Sequence, residues 1–62
     1  MKQKTILKLG DAKVIQYTYT KGINIGDFYY VVTLKGLFVE RFGNRLGNDA
    51  LKLCKSLSNI SQ

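Results

Sequence analysis

Sixty-two residues with ten Lys and Arg against four Asp and Glu give a small chain of net charge +6. A single cysteine excludes an internal disulfide, and four scattered acids without any histidine exclude a zinc site. At this length only about 60% of the unfolded chain's surface is buried on folding, so one small domain over residues 1–62 has a marginal core, and a homodimer or a bound partner is the staple left to it.

The charge excess points to an acidic partner: nucleic acid, an anionic membrane surface or an acidic protein face. It also lies within the range of about 2 to 8 that serves plain solubility. No apolar run approaches the ~20 residues of a membrane span. The start, MKQKTILKLG, lacks the apolar core and cleavage site of a secretory signal. With a free cysteine this fits a reducing, cytoplasmic setting.

In chain order, Lys4 to Leu9 alternates as a strand, with Ile6-Leu7 breaking strict period 2. Gly10-Asp11 is a hairpin turn signal, and Ala12 to Thr20 follows as a second strand. A two-residue turn places Leu7, Leu9, Ala12 and Val14 on one face, continued by Thr5, Gln16 and Thr18. Lys4, Ile6, Lys8, Lys13, Ile15, Tyr17 and Tyr19 fall on the other. A one-residue bulge exchanges these faces. Lys21 to Asp27 is the longest irregular stretch, and its Ile23 and Ile25 are expected to tuck against the core or extend a strand.

Phe28 to Phe42, FYYVVTLKGLFVERF, is a second hairpin turning at Lys35-Gly36. A regular ladder pairs Val32 with Val39 and Tyr30 with Arg41. One face is then Phe28, Tyr30, Val32, Leu34, Leu37 and Val39. The other is Tyr29, Val31, Thr33, Phe38, Glu40 and Phe42. After Gly43-Asn44 the period changes. Leu46, Ala50, Leu53, Cys54, Leu57 and Ile60 fall at spacings of three and four, a helical stripe. The helix is expected from about Asn48, as its cap, to Ser58, ahead of a polar tail of Ser58, Asn59 and Ser61.

The expected fold is α+β: a four-stranded antiparallel β-meander with one C-terminal α-helix packed on one face. Its core is Leu7, Leu9, Val14, Tyr30, Val32, Leu34, Leu37, Val39, Ala50, Leu53 and Leu57. The second sheet face is open.

No catalytic constellation is present, so the chain is read as non-catalytic, with no cofactor and no metal. A nucleophile needs an activating base; without histidine, Cys54 has none, and its place on the apolar stripe makes it a small core residue. One constellation stands out. The open face combines Lys4, Lys8, Lys13, Tyr17 and Tyr19 with Tyr29 and Phe38, and Phe42 sits at its edge. Lysines neutralise phosphates and rings offer stacking platforms. The same residue types also build ordinary strands, and lysines protect sheet edges.

Residues 27 to 60 resemble the three-stranded-sheet-plus-helix domains of the AP2 kind, which also serve as arm-site-binding domains of phage and transposon integrases. An aromatic strand (FYYVV), Gly36, a strand ending in Phe (FVERF) and a helix opening NDALKLCKSL carry the likeness. The resemblance implies DNA contact through Tyr29, Val31, Thr33, Lys35, Phe38 and Glu40. Glu40 and the scarcity of strand arginines depart from that pattern. The expected function is a small nucleic-acid-binding module or regulator of the phage or mobile-element type. The alternative is an inhibitor or adaptor that covers an acidic or nucleic-acid-binding surface of a larger protein. Pairing of two copies, edge to edge or through the aromatic face, is the expected homodimer.

Overall fold

The computed structural model describes residues 1–60. Four antiparallel strands, β1 (Lys2–Leu9), β2 (Ala12–Thr18), β3 (Phe28–Leu34) and β4 (Leu37–Gly43), lie in sequence order in one sheet. The helix α1 (Gly47–Ile60) packs across one face. This is the expected α+β meander.

Both tight turns follow their glycines. Gly10 has φ +60°, which suits the first central position of a Gly-X turn. In the second turn both central residues are left-handed, Lys35 at φ +54° and Gly36 at +80°. That is the pattern of a type I′ turn, whose twist matches the flanking strands. The Lys35 amide donates to the Asp11 carbonyl at 2.9 Å and ties the two turns together.

Each outer strand carries a bulge, and the bulges change the faces. In β1 the pairing jumps from Thr5 with Ile15 to Leu7 with Val14, so Ile6 is the extra residue. Lys4 therefore pairs with Gln16 and Lys2 with Thr18, on the helix side, while Thr5 and Gln3 move to the open face. In β4 the pairing jumps from Thr33 with Phe38 to Val32 with Glu40, so Val39 is extra. Tyr30 pairs with Phe42, not Arg41, and Arg41 stands opposite Val31 on the open face. A period-2 reading fails beyond each bulge because one unpaired residue inverts the alternation. Each outer strand thus carries one bulge, a feature that blunts sheet edges.

The core is small. Ala12, Val14, Val32, Ala50 and Cys54 are fully buried, and Leu7, Leu9, Tyr30, Leu34, Phe42, Leu51, Leu53 and Leu57 pack around them. Two expected core residues are outside: Leu37 is 72% exposed and Val39 is 39% exposed. Val39 is the unpaired residue of the β4 bulge, and the course of the helix explains Leu37. α1 starts at Gly47 beside the Tyr30 ring, and Cys54 contacts the backbone of Leu9 on β1. The helix thus crosses the sheet diagonally and leaves two corners uncovered. One corner holds Leu37, on β4 next to the turn. The other holds Lys2 and Lys4, on the far half of β1.

The helix begins one residue earlier than Asn48. A Cβ at position 47 would lie 3.2 Å from Tyr30 Cε2, so glycine lets the ring pack on the helix backbone. The Leu46 carbonyl accepts the first helical bond, from the Ala50 amide at 3.1 Å, which takes Asn48 off the cap position. The helix runs on through Ser58 and Asn59 to Ile60, where a polar tail was expected. Ser61 lies outside the described residues. Leu46 and Ile60 are exposed, and Leu51 rather than either of them joins the packed face.

The 19–27 loop is also solvated. Tyr19 and Asp27 are held by Tyr19 N–H to Asp27 O and Gly26 N–H to Tyr19 O, both 2.9 Å. Ile23 at its tip is fully exposed, and Ile25 is exposed too, so neither tucks against the core. The loop's hydrogen bonds are satisfied within itself, and nothing pulls the tip inward. Among the described residues no helix is long and apolar enough to cross a membrane.

Candidate nucleic-acid interface

Three rows of side chains cross the open face, read from strand pairing. Nearest the tight turns stand Lys8, Lys13, Thr33 and Phe38; next come Thr5, Ile15, Val31 and Arg41; nearest the long loop are Gln3, Tyr17, Tyr29 and Gly43. Successive rows are about 6.6–6.8 Å apart, two strand residues.

The last row forms an aromatic cluster. Tyr17 and Tyr29 stack with centroids 5.4 Å apart and planes at 16°. Tyr19, held by the loop's hydrogen bonds, tilts against Tyr29 at 5.8 Å. Gly43 offers no side chain opposite Tyr29, and Arg41 from the next row reaches over that ring, Cζ 4.2 Å from its centroid. A guanidinium over an aromatic face is held by the ring's quadrupole. The Tyr29 hydroxyl donates to Met1 Sδ at 3.7 Å, placing Met1 beside the cluster.

The first row is basic. Lys8 and Lys13 are directly opposed across β1 and β2. Like charges in that arrangement cost the fold up to about 1 kcal/mol. β1 and β2 hold four lysines and no acid. Asp11 and Asp27 are in connections, Asp49 is in the helix and Glu40 pairs with Val32 on the helix side. The three rows carry Lys8, Lys13 and Arg41 with no carboxylate among them. Next to Lys13, Thr33 is only 8% exposed and its hydroxyl has no partner. Phe38, across from Thr33, is 67% exposed.

Of the residues singled out in the sequence, the structure brings together Lys8, Lys13, Tyr17, Tyr19, Tyr29 and Phe38. Lys4 and Phe42 are on the helix side; the Ile6 and Val39 bulges move them there, and Phe42 packs against the core. The residue missed was Arg41. Only a β4 bulge reveals it, and no turn or glycine in FVERF announces one. The same bulge puts Glu40, one of the positions that the AP2-like resemblance assigns to DNA contact, on the helix side and off this face.

Cys54 is buried in the core, away from this face. Burial pushes its thiol up from the ordinary value, and a hydrogen bond with the Leu9 backbone partly opposes that. Among the described residues no group of His, Cys, Asp and Glu is placed to hold a metal ion. Comparison with family models, curated proteins and solved structures gives no match.

Proposed function

We propose that this protein is a non-catalytic nucleic-acid-binding module whose open sheet face holds a single strand. One observation carries the reading: the same face sets an opposed lysine pair, Lys8 and Lys13, two rows (about 13 Å) from stacked tyrosines capped by Arg41, with no carboxylate in its rows. The lysine repulsion works against the fold and is relieved by a phosphate between them. Phosphates then lie over the basic row and bases over Tyr17 and Tyr19, since Arg41 already covers the Tyr29 ring. Stacking on such rings contributes about 1–3 kcal/mol per base and tolerates any sequence. Of the six positions that the AP2-like resemblance implies, Tyr29, Val31, Thr33 and Phe38 stand on this face, while Lys35 is in the turn and Glu40 is on the helix side.

The test is titration of fluorescent single-stranded DNA and RNA, and of duplex, at several salt concentrations. Affinity is expected to fall steeply with salt, and removing one phosphate-binding lysine lowers the slope by about 0.7 on single strands. Tyr17→Ala weakens single-strand binding more than duplex binding. Absence of binding at ~10 μM protein in low salt sinks the proposal, because micromolar non-specific affinity is ordinary for such proteins.

The exposure of Phe38 favours a second reading, an inhibitor or adaptor that binds a larger protein, with Phe38 as a buried anchor. Pull-down from nuclease-treated lysate separates the two. One stoichiometric partner that survives nuclease and is lost with Phe38→Asp selects the second.

A further inference from the structure

The corner that the helix leaves uncovered on its own side of the sheet holds a groove of about 400 Å³ lined by Lys2, Gln3, Lys4, Gln16 and Thr18. Four of its five lining residues, Lys2, Lys4, Gln16 and Thr18, stand on the face opposite the tyrosine cluster, and Gln3, between the two lysines in the chain, belongs to the tyrosine row. Lys4 is directly opposite Gln16, and Lys2 is directly opposite Thr18. The Ile6 bulge makes this quartet, since a regular ladder sends Lys4 to the other face. The Cα atoms of Lys2 and Lys4, two residues apart on one strand, are about 6.6–6.8 Å apart, so both long side chains rise from one side of the strand within reach of a single tetrahedral anion. Gln16 and Thr18 supply N–H and O–H donors from the neighbouring strand. No acid lies on either strand. The volume falls within the range of about 300–1,000 Å³ usual for small-ligand sites.

We infer that this groove is a phosphate-binding site, with Lys2 and Lys4 as the charged clamp and Gln16 and Thr18 as the hydrogen-bonding floor. Its chemistry suits a phosphate monoester, whether from a small phosphorylated metabolite or from a terminal phosphate of a nucleic acid. Carboxylates and chloride lack the three oxygens needed to engage both lysines and the floor together.

The experiment is an amide-resolved NMR titration of the full chain with inorganic phosphate, with sodium chloride added to matched ionic strength in a parallel series. Phosphate is expected to shift Lys2, Lys4, Gln16 and Thr18 saturably in the millimolar range, and chloride is not. The Lys2→Gln, Lys4→Gln double variant is expected to weaken binding at least tenfold. Both side chains are exposed, so its spectrum stays dispersed. A nucleoside monophosphate that binds the same four residues more tightly than inorganic phosphate assigns a small-molecule source. A 5′-phosphorylated oligonucleotide that does so, where its unphosphorylated twin shifts only the open face, assigns a nucleic-acid end. Equal, unsaturable shifts with phosphate and chloride overturn the site, as do phosphate shifts centred on Lys8 and Lys13. Neither result bears on oligonucleotide binding by the open face, which the twin without phosphate reads separately.

Discussion

Val32 and Val39 would be equivalent in a regular hairpin, and the bulge makes them different. Val32 is fully buried in the central strand, whereas Val39 is the extra residue of β4 and is 39% exposed. Val32→Ala removes two methyl groups from the core. At about 0.8 kcal/mol for each, transfer alone contributes about 1.6 kcal/mol. The cavity left between the sheet and Ala50 or Cys54 raises the loss to about 2–3 kcal/mol. Val39→Ala removes the same groups from a partly solvated position and leaves no closed cavity, so about 1 kcal/mol or less is expected. A chain of this length has a total stability of roughly 3–9 kcal/mol, so the first variant takes a large share of it. Urea unfolding followed by circular dichroism measures both. With a slope near 1 kcal/mol/M, the midpoint falls by about 2–3 M for Val32→Ala and by about 1 M or less for Val39→Ala. Equal losses, or a larger loss at Val39, would place Val39 in the core. Arg41 would then face the helix, and the proposed interface would lose its arginine.

Lys35 sits at φ +54°, where a residue other than Gly, Asn or Asp is strained. Lys35→Asn, which makes the Asn-Gly pair favoured in type I′ turns, is expected to raise stability by about 0.5–1 kcal/mol in the same urea assay. Thr33→Val replaces a buried hydroxyl without a partner by an isosteric methyl. It should stabilise the protein by about 1 kcal/mol in the urea assay. The Cys54 thiol, raised by burial, is expected to resist Ellman's reagent in the native state and react only on unfolding. Above the ordinary thiol range the unfolded chain loses this proton before the folded one does, so the unfolded state binds fewer protons and stability falls as pH rises. Below that range Cys54 leaves stability independent of pH, and Cys54→Ala should abolish the alkaline slope that this group contributes.

The parts of the fold that depend on local chemistry were legible. Gly10-Asp11 and Lys35-Gly36 marked the turns, and the change of period after Gly43 marked the helix. Val14, Val32 and Ala50 were legible as core because Val14 and Val32 lie on the inner strands β2 and β3, where no extra residue breaks the alternation, and Ala50 lies on the helix stripe. What alternation could not reveal lies beyond the bulges or under the uncovered corners. Lys4 and Arg41 changed faces because of one extra residue on each edge strand. Leu37 was read as core by its parity, and parity is right: it is on the helix side. The helix simply does not reach it. The helix opens one residue ahead of Asn48 because the Tyr30 ring packs on Gly47, a tertiary contact that outweighs glycine's poor helix propensity. The site was therefore half legible, its lysine pair and tyrosines from composition and register, its arginine only from the bulge.

The central claim is that Arg41, and not Glu40, belongs to a strand-binding face. Fluorescence anisotropy of a labelled single-stranded oligonucleotide, titrated with Arg41→Gln and Glu40→Gln across a salt series, tests it directly. Arg41→Gln is expected to weaken binding several-fold and lower the salt slope by about 0.7, while Glu40→Gln stays within about twofold of the parent. A Glu40→Gln variant that binds markedly tighter, beside an Arg41→Gln variant that binds like the parent, would contradict the account.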